Sequence, residues 1–360
     1  MAAGGGCVAR TGDGQVVFVR HAIPGEVVLA RVTHATRSFL RADAIEIIEA
    51  SPDRVAPPCP YAGPGLCGGC DWQHVVLARQ RRLKADLLGE QLRRLAGLEV
   101  AVTVGEVPGA PDGLGWRTRV RYSIDRAGRA GFRRHRSHQV QPVERCLIAA
   151  PEVQAEGVTA RRWPGVESVE VPGPPERVVR GRSFRAGPGA FWQVHPAAPE
   201  VLVGALLEGL APRPGEVVAD LYGGAGIFAA FLAEAVGESG RVVLVEGNRG
   251  AAASAEENLA GLSQAEVVTA RVGADVLDLI GPVDLIVLDP PRAGAGLEVS
   301  AALAASSARA VAYVACDPAA LGRDLRVFLG AGWELASLRA FDLFPMTEHV
   351  EAVAFLAPPA

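Results

Sequence analysis

Residues 217–226 read Val217-Val218-Ala219-Asp220-Leu221-Tyr222-Gly223-Gly224-Ala225-Gly226, a short apolar run followed by a glycine-rich turn. An apolar run of this length is typical of a strand that is buried on both faces, as in a parallel sheet. Glycines after such a strand let the backbone approach a ligand at the N-terminus of the next helix. The stretch therefore predicts a strand, a turn and a helix of an α/β domain, with a cofactor at the turn.

Three further apolar runs follow this unit, and alanine-rich segments that are typical of helices separate them. The runs are Val242–Val245, Leu285–Leu288 and Ala310–Ala315. Strands that alternate with helices predict a doubly wound α/β sheet, which we place in a Rossmann-like domain over 189–360. The segments Trp333–Asp342 and His349–Leu356 are predicted to add an antiparallel pair at the end of the chain.

The glycine turn also satisfies a dinucleotide-binding pattern, Gly224-x-Gly226-x-x-Ala229, and Glu246 ends the next strand. An acid at that point can hold ribose hydroxyls, so NAD and S-adenosylmethionine both fit. Asp289, in Asp289-Pro290-Pro291-Arg292, and Cys316 follow two other strands and should share the same crevice. The rigid Asp-Pro-Pro segment could form a wall against a planar base, which favours methyl transfer to a base over hydride transfer.

The N-terminal half has a different character. Residues 8–50 contain three β-rich runs, Gln15–Arg20, Glu26–His34 and Ala42–Ile48, with a Pro24-Gly25 turn between the first two. This pattern predicts a small β-barrel over 1–52. A central, mainly β domain is expected over 53–188, with an amphipathic helix over Gln73–Leu95.

Four cysteines of the central domain form a candidate metal centre. Cys59, Cys67 and Cys70 lie close together in sequence, and Cys146 follows far downstream. Four thiolates suit either a [4Fe–4S] cluster or a structural zinc ion, and the spacing leaves both open. A packing role without metal is the third interpretation.

Composition and charge limit the classes of protein. The chain has 360 residues, of which 49% are hydrophobic, and this excludes global disorder. No apolar run is long enough to span a membrane, and no secretion signal is seen. We therefore expect a cytoplasmic protein with reduced thiols. Residues 1–150 carry 21 Lys and Arg against 14 Asp and Glu, whereas 151–360 carry 15 against 26. The basic half, residues 1–150, is therefore expected to bind a polyanion.

Residues 117–136 are the most basic stretch. They contain eight arginines and one acid, Asp125, with Trp116, Tyr122 and Phe132 interleaved. Arginines can hold phosphates, and aromatic rings can stack on unpaired bases, so this stretch predicts contact with RNA. The alternation of Arg117, Arg119 and Arg121 would place all three on one face of a strand. The alternative interpretation is that these arginines lie on an exposed β surface and are in contact with solvent only.

Taken together, these motifs resemble the RNA (uracil-5-)-methyltransferase family, in particular its iron–sulfur members with an N-terminal TRAM domain. The resemblance rests on the four cysteines, Phe191-Trp192-Gln193, residues 220–228, Asp289-Pro290-Pro291-Arg292, Cys316-Asp317-Pro318 with Leu321-x-Arg323-Asp324, and the segment 344–351. Gly223 and Asp317 depart from the family, where Cys and Asn are usual.

The resemblance implies a function and a set of site residues. It implies methylation of uridine C5 in RNA by S-adenosylmethionine, with Cys316 as the nucleophile and Glu351 as the base. The residues around S-adenosylmethionine and the target base would be Gln193, Tyr222, Glu246, Asp275 and Asp289. The ligands of a [4Fe–4S] cluster would be Cys59, Cys67, Cys70 and Cys146. Ribosomal RNA, in particular 23S rRNA, is favoured over tRNA, and neither a membrane nor an obligate protein partner is expected.

Other functions compete with this hypothesis. An NAD-linked iron–sulfur oxidoreductase would explain the glycine turn and the cysteines, but it leaves Cys316 and Glu351 unexplained. A non-catalytic RNA-binding module would need only the barrel and the basic stretch. An adenine-N6 methyltransferase usually has an aromatic residue after Asp-Pro-Pro, where this chain has Arg292.

Overall fold

The computed structural model describes residues 1–2, 4–187 and 192–359. The helices are α1 Leu77–Ala96, α2 Pro151–Ala155, α3 Ala198–Leu210, α4 Ile227–Val236, α5 Arg249–Leu259, α6 Val276–Ile280, α7 Leu297–Ala304 and α8 Pro318–Gly330, with a 3₁₀ turn at Val158–Ala160. The strands are β1 Cys7–Arg10, β2 Val16–Arg20, β3 Val27–Ala35, β4 Phe39–Glu49, β5 Val104–Gly105, β6 Val120–Ile124, β7 Ala130–Arg133, β8 Val140–Pro142, β9 Ser168–Val171, β10 Glu176–Val179, β11 Arg182–Arg185, β12 Val217–Leu221, β13 Arg241–Glu246, β14 Ala265–Thr269, β15 Leu285–Leu288, β16 Ala310–Ala315, β17 Glu334–Phe341 and β18 Glu351–Ala357.

The chain divides into two compact units. The first unit comprises Met1–Leu87, Pro108–Gly173 and Phe344–His349. The second unit comprises Leu88–Val107, Pro174–Leu343 and Val350–Ala360, so α1 contributes residues to both units. Among the described residues, no helix has both the length and the apolar composition needed to cross a bilayer.

The second unit is built on an eight-stranded sheet. Its strand order is β14-β13-β12-β15-β16-β18-β17-β5. The first five strands are parallel, and β18 pairs antiparallel with both β16 and β17. All four residues of β15 are fully buried, as expected for a strand that helices cover on both faces. The prediction of a doubly wound α/β sheet with a terminal antiparallel pair is therefore confirmed.

The topology locates the crevice where a ligand would bind. From the central strand β12 the chain builds outward through β13 and β14, and then returns to add β15 and β16 on the other side. In open α/β sheets ligands bind outside the carboxyl ends of the strands where this reversal occurs. The glycine turn follows β12, and Asp289 follows β15, so both lie at the reversal.

In the first unit, the N-terminal strands form a sheet of order β1-β2-β4-β3. The prediction of a β-rich N-terminal segment is confirmed. The small β-barrel stays a prediction: the four described strands form one sheet, in which no hydrogen-bonded pairing joins β1 to β3. Strand β2 pairs parallel with β4 rather than in a simple up-and-down order, which leaves β1 and β3 as edges.

The central segment forms a second four-stranded sheet, of order β8-β7-β6-β9. Helix α1 begins at Leu77, four residues later than predicted, because residues 74–76 have other partners. The amide of Val55 donates to the carbonyl of His74, and the amide of Val76 donates to the carbonyl of Asp53. Residues 72–75 form a turn in which the amide of Val75 donates to the carbonyl of Trp72, and Val75 also pairs with Arg54 in an antiparallel bridge, so the helix begins only after this segment.

The basic stretch has the predicted alternation but not the predicted role for its aromatic rings. Arg117, Arg119 and Arg121 are the more exposed positions between buried Thr118, Val120 and Tyr122. Trp116 and Tyr122 are each 2% exposed, and Phe132 packs against the core that contains Tyr122. The prediction that these rings stack on bases is therefore wrong for Trp116, which packs against Phe344, and for Tyr122, which lies in the core of the central segment.

Candidate active site

Cys316 and Glu351 lie at the same edge of the sheet in the second unit. Cys316 directly follows β16, and Glu351 is the first residue of the adjacent strand β18. The last pair in their ladder is Ala315 with Ala352, so the next position along each strand is Cys316 and Glu351. Asp317 accepts a hydrogen bond from the amide of Ala320 at 2.8 Å and caps the N-terminus of α8 directly after the cysteine.

Three acidic groups interact at this point. Burial, and then the charges of Glu351 and Asp289, raise the pKa of the Cys316 thiol to about 12, and the charge of Arg292 partly opposes this rise. Burial, and then the charge of Asp289, raise the pKa of Glu351 well above its ordinary value. Glu351 is only 2% exposed. Burial also raises the pKa of Asp289, to about 7. The site therefore holds protons that exposed carboxyl groups would lose.

Gln193 joins this group through Asp289. Its side-chain amide nitrogen lies 3.5 Å from Oδ2 of Asp289. The two residues therefore present an amide and a carboxyl side by side at the carboxyl end of β15. Phe191, which belongs to the same predicted motif as Gln193, lies outside the described residues.

The glycine turn and Glu246 form a second part of the crevice. Tyr222 has a left-handed backbone with φ 61°, and its amide donates to the carbonyl of Val245. The carboxylate of Glu246 accepts from the amide of Gly224 at 3.0 Å and from the amide of Asn248 at 2.6 Å. A Cβ atom on Gly224 would meet no heavy atom within 4 Å, so the turn borders open space. These residues fit a ribose and a cofactor chain.

Gly223, where the family usually has Cys, has a structural explanation. A Cβ atom at this position would lie 2.4 Å from Cγ of Leu244 and 3.2 Å from Cγ of Asp220. The packing of β12 against β13 therefore leaves no room for a larger side chain without a shift.

Asp275 is less closely connected to the other predicted residues. It precedes α6, and its side chain is exposed. It lies in the loop after β14, at the same edge of the sheet as Glu246, but no described hydrogen bond or ion pair joins it to the other site residues.

Two carboxyl groups near the site received no role from the sequence. Asp324 of α8 accepts hydrogen bonds from the Tyr313 hydroxyl at 2.6 Å and from the amides of Ala295 and Gly296 at 2.8 and 3.2 Å. It thus anchors the loop that follows Asp289 and carries Arg292. Asp220 of β12 is fully buried, and burial raises its pKa to about 8, with the charges of Asp289 and Glu246 adding to the effect. Their position in the sequence motifs was the available signal.

The four central cysteines lie within electrostatic reach of one another in the first unit. Burial, together with the charges of Cys146 and Cys59, raises the pKa of Cys67 to about 11. Burial also raises the pKa values of Cys70 and Cys146. All four are free thiols. Among the residues that the structure describes, no group of three His, Cys, Asp or Glu side chains is placed to hold a metal ion.

Hydrogen-bond donors surround these thiols. The amide of Gly69 donates to Sγ of Cys67 at 3.4 Å. Hydrogen bonds from the backbone at Ala149 and Ile148 lower the pKa of Cys146 and partly oppose the effect of burial. The side chain of Gln73 does the same for Cys70. Donors of this kind stabilise sulfur ligands of metal centres, so the residues suit thiolate ligation.

Three family descriptions match parts of the chain. They are "TRAM domain" over residues 3–45, "Methyltransferase small domain" over 197–312 and "tRNA (Uracil-5-)-methyltransferase" over 281–358. The last of these contains Asp289, Cys316 and Glu351.

Relatives match over nearly the full length of the chain. An uncharacterised RNA methyltransferase of Streptomyces avermitilis is 48% identical over 100% of this chain and 97% of its own. The 23S rRNA (uracil(1939)-C(5))-methyltransferase RlmD of Shewanella sp. strain ANA-3 is 31% identical, over 95% and 91%.

Among solved structures, the tRNA (uracil-54, C5)-methyltransferase of Pyrococcus abyssi, in complex with S-adenosyl-L-homocysteine, has the same fold. It superposes with a TM-score of 0.71 and 20% identity, over 98% of this chain and 99% of its own. The full-length relatives and the matched C-terminal segment, together with the strand-end cysteine and acids, lead to one assignment: the chain belongs to the RNA (uracil-5-)-methyltransferase family.

Proposed function

We propose that this enzyme methylates C5 of a uridine, in 23S ribosomal RNA, through a transient bond between Sγ of Cys316 and C6 of the uracil. The observation that carries the proposal is the placement of Cys316 and Glu351 at neighbouring positions of β16 and β18, with Asp289 interacting with both. A nucleophile and a base at the carboxyl edge of an α/β sheet can act on the same ring from a common crevice.

The chemistry explains why both residues are needed. Uracil C5 is a poor nucleophile, and addition of the Cys316 thiolate to C6 gives C5 the electron density of an enolate. Bound S-adenosylmethionine supplies an electrophilic methyl group for C5. Glu351 then removes the proton that remains on C5, and the electrons of that C–H bond re-form the ring double bond as the C6–S bond breaks. Cys316 leaves as the thiolate, and Glu351 holds the proton.

The raised pKa values suit this sequence of steps. A carboxyl group whose pKa is raised is a stronger base once it is ionised, so burial of Glu351 favours proton removal from carbon. Arg292 lowers the pKa values of Cys316 and Glu351 and so favours their reactive, ionised forms. Because the pKa of Cys316 is about 12, the thiolate fraction and the rate should increase with pH through the neutral range.

We assign the predicted binding residues to the cofactor and the target base. Glu246 would hold the ribose hydroxyls, and Tyr222 and the glycine turn would line the cofactor. Gln193 and Asp289 would read the polar edge of the uracil, which their amide and carboxyl can do by hydrogen bonds. Asp275 would contact the cofactor from the loop after β14.

We further propose that Cys59, Cys67, Cys70 and Cys146 hold a [4Fe–4S] cluster. Four thiolates suit either such a cluster or a zinc ion, and the resemblance to the iron–sulfur members of the family favours the cluster. The electrostatic interactions among these thiols in the first unit support a common role for them. The cluster would fix the fold of the first unit, since methyl transfer requires no electron.

Ribosomal RNA is favoured over tRNA on sequence similarity. The relative that is named for 23S rRNA is 31% identical over nearly the whole chain. The solved tRNA enzyme, at 20% identity, supports the fold and no more. We also propose the division into domains 1–52, 53–188 and 189–360, whose second boundary lies outside the described residues, and a cytoplasmic location, where thiols remain available as ligands.

Two substitutions test the mechanism. Cys316→Ala should abolish formation of 5-methyluridine while S-adenosylmethionine binding, followed by calorimetry, is retained. Glu351→Gln should accumulate a covalent RNA–protein adduct, visible as a band that survives denaturing electrophoresis. Normal turnover of either variant would contradict the assignment.

The RNA class is tested separately. Ribosomal RNA and tRNA, each prepared without 5-methyluridine, are incubated with the enzyme, and the nucleosides are analysed by mass spectrometry. We expect the methyl group in 23S rRNA, and methylation confined to tRNA would overturn that part of the proposal.

A further inference from the structure

Helix α5 of the second unit lies directly against the glycine turn. A Cβ atom on Gly226 would lie 3.3 Å from Cβ of Ala255 and 3.3 Å from Cγ of Leu259, both residues of α5. At this distance a polar side chain of the helix can reach the backbone of the turn. Asn258 of α5 does so by a hydrogen bond.

Asn258 restrains one peptide group of the turn. Its side-chain nitrogen donates to the carbonyl of Ala225 at 2.8 Å. The N–H of the same peptide group belongs to Gly226, and it donates to the carbonyl of Gly223 at 3.0 Å. Because a peptide group is planar, with its C=O and N–H directed to opposite sides, the two hydrogen bonds together set its orientation.

The turn needs such a restraint because of its glycines. Gly224 and Gly226, on either side of Ala225, have left-handed backbones with φ 56° and 84°. Glycine adopts right-handed and left-handed conformations with similar ease, so the two residues by themselves do not select one conformation of the turn. A turn that is ordered before its ligand arrives loses less entropy when the ligand binds.

Asn258 is itself held in place by the hairpin β10–β11. Its side-chain oxygen accepts from the amide of Arg185 at 2.8 Å, and its side-chain nitrogen also donates to the carbonyl of Arg185 at 2.8 Å. The side-chain amide thus pairs with both backbone groups of Arg185, as a neighbouring strand would. Together with the bond to Ala225, both hydrogens of the side-chain nitrogen are used, so the orientation of the amide is determined.

Further contacts attach the hairpin to the helices beside the turn. The guanidinium of Arg182 donates to the backbone carbonyl of Asn258 at 2.7 Å and to the carboxylate of Glu234, on α4, at 3.0 Å. The amide of Gly187, just after β11, donates to Oγ of Ser254, on α5, at 3.0 Å. The hairpin is therefore fixed to α5 and α4 at several points.

We propose that Asn258 is a positioning residue for S-adenosylmethionine. It holds the peptide group between Ala225 and Gly226 in the orientation that the bound cofactor requires, and the hairpin β10–β11 keeps the side chain of Asn258 in the rotamer that does so. The hairpin thereby contributes to cofactor affinity through Asn258. The inference rests on the proposed function only in taking S-adenosylmethionine as the ligand of the turn.

Calorimetric titration of the full-length protein with S-adenosylmethionine provides the test. Asn258→Ala removes the hydrogen bond that orders the turn, and Kd for S-adenosylmethionine should rise about tenfold. The proposed role is to order the turn and not to act on the methyl group. In methylation assays KM for S-adenosylmethionine should therefore rise with Kd, while kcat at saturating cofactor is retained.

Asn258→Asp gives a second readout, which depends on pH. The ionised carboxylate still accepts from the amide of Arg185, but it cannot donate to the carbonyl of Ala225, so binding at neutral pH should be weakened. Protonation of the carboxyl group restores one donor. The ratio of the variant Kd to the wild-type Kd should therefore fall as the pH is lowered towards about 5, which a loss of stability alone would not produce.

Gln264→Ala is the matched control. It removes a side-chain hydrogen bond of 2.8 Å to the carbonyl of Ala233, near the end of α4 that is opposite the turn. Gln264→Ala should keep the wild-type Kd for S-adenosylmethionine even if it lowers the melting temperature. Thermal unfolding establishes that each variant is folded, and if Asn258→Ala fails to fold, the pH dependence of Asn258→Asp decides.

The outcomes separate this inference from the proposed function. If the wild type and the folded Asn258 variants bind S-adenosylmethionine equally, or if Gln264→Ala weakens binding as much as Asn258→Ala, Asn258 does not position the cofactor. If the Asn258 variants weaken binding as expected but no RNA uridine is methylated by the wild type, the proposed function fails and the inference stands. A wild type that does not bind S-adenosylmethionine would overturn both.

Discussion

At the scale of single residues, the acids near the sheet edge keep protons that water would remove. Asp220 has no exposed surface, and Glu351 is almost fully buried. A carboxylate in such surroundings is unfavourable, so burial raises the pKa of both groups, to about 8 for Asp220. Burial makes Glu351 the stronger base that we propose, but it should also lower the free energy of unfolding at high pH, where the buried acid must ionise.

Asp220 gives this relation a measurable form. Its pKa is about 8 in the folded chain, against 3.8 ordinarily, so the folded state binds a proton that the unfolded state lacks between those pH values. The free energy of unfolding should therefore fall as pH rises from about 4 to about 8, by about 1.4 kcal/mol for each unit of pKa difference at most. Asp220→Asn should flatten this fall, as measured by denaturant unfolding at several pH values.

The exposed Asp112 provides the matched control. Asp112→Asn should leave the pH dependence as in the wild type, because its side chain lies in water in both states. If Asp220→Asn and the wild type lost stability in parallel above pH 5, the carboxyl group of Asp220 would not be the buried acid that we describe.

At the scale of elements, helix α8 supports the site at two points. Its N-terminus is capped by Asp317, one residue after Cys316, and Asp324 in its middle anchors the loop that carries Arg292. Asp takes the place of the usual Asn without loss of the capping hydrogen bond, since both side chains accept from a backbone amide.

The capping role predicts a difference between two substitutions. Asp317→Ala should lower the free energy of unfolding by about 1 kcal/mol because the amide of Ala320 loses its acceptor. Asp317→Asn, which can form the same hydrogen bond, should remain within a few tenths of the wild type. Denaturant titration distinguishes the two, and an equal loss for both would show that the capping bond is not what stabilises α8.

The anchoring role of Asp324 predicts a change in the chemistry of Cys316. Asp324→Asn weakens the hold on the loop, and displacement of Arg292 should shift the alkylation of Cys316 by iodoacetamide to higher pH. Peptide mass spectrometry at Cys316 as a function of pH provides the measurement. Tyr313→Phe removes two hydrogen bonds of the hydroxyl, one donated to Asp324 and one accepted from the amide of Ala295, but it leaves both loop amides on Asp324, so it should shift the profile less. A purely structural role would lower the amount of folded protein and leave the alkylation profile unchanged.

At the scale of the whole molecule, the two compact units contain different candidate sites. The four central cysteines belong to the first unit, and the residues that we propose for methyl transfer belong to the second. A cluster with four cysteine ligands would tie Cys146 to the loop that holds the other three and so restrict the first unit.

Removal of the cluster should therefore affect the two units unequally. In protein stripped of iron under anaerobic conditions, amide exchange should accelerate around 59–70 and 143–150, while β15 and β16 of the second unit keep their protection. Hydrogen exchange with mass spectrometry measures both regions in one experiment. The intact protein should contain about four iron atoms per chain, and zinc in their place or uniform loss of protection would contradict the proposed role.

Much of the fold could be predicted from sequence because parallel strands have a simple signature. Strands β12, β15 and β16 have the predicted bounds, since a strand buried on both faces is mostly apolar, with Asp220 of β12 as a buried exception. Strand β14 was not predicted, because its residues, such as Glu266 and Thr269, include exposed polar side chains at the edge of the sheet. The start of α1 was misplaced because the partners of residues 74–76 are distant in sequence.

The amino-acid sequence by itself determined the α/β class, the glycine turn, and the strand-end positions of Asp289 and Cys316, because these depend on local periodicity and backbone freedom. Only the tertiary structure decided which acids surround Cys316, that Asp324 anchors the neighbouring loop, and that Trp116 and Tyr122 lie in a core rather than on an RNA surface. Burial and long-range charge arise from contacts between distant segments, so no local pattern contains them.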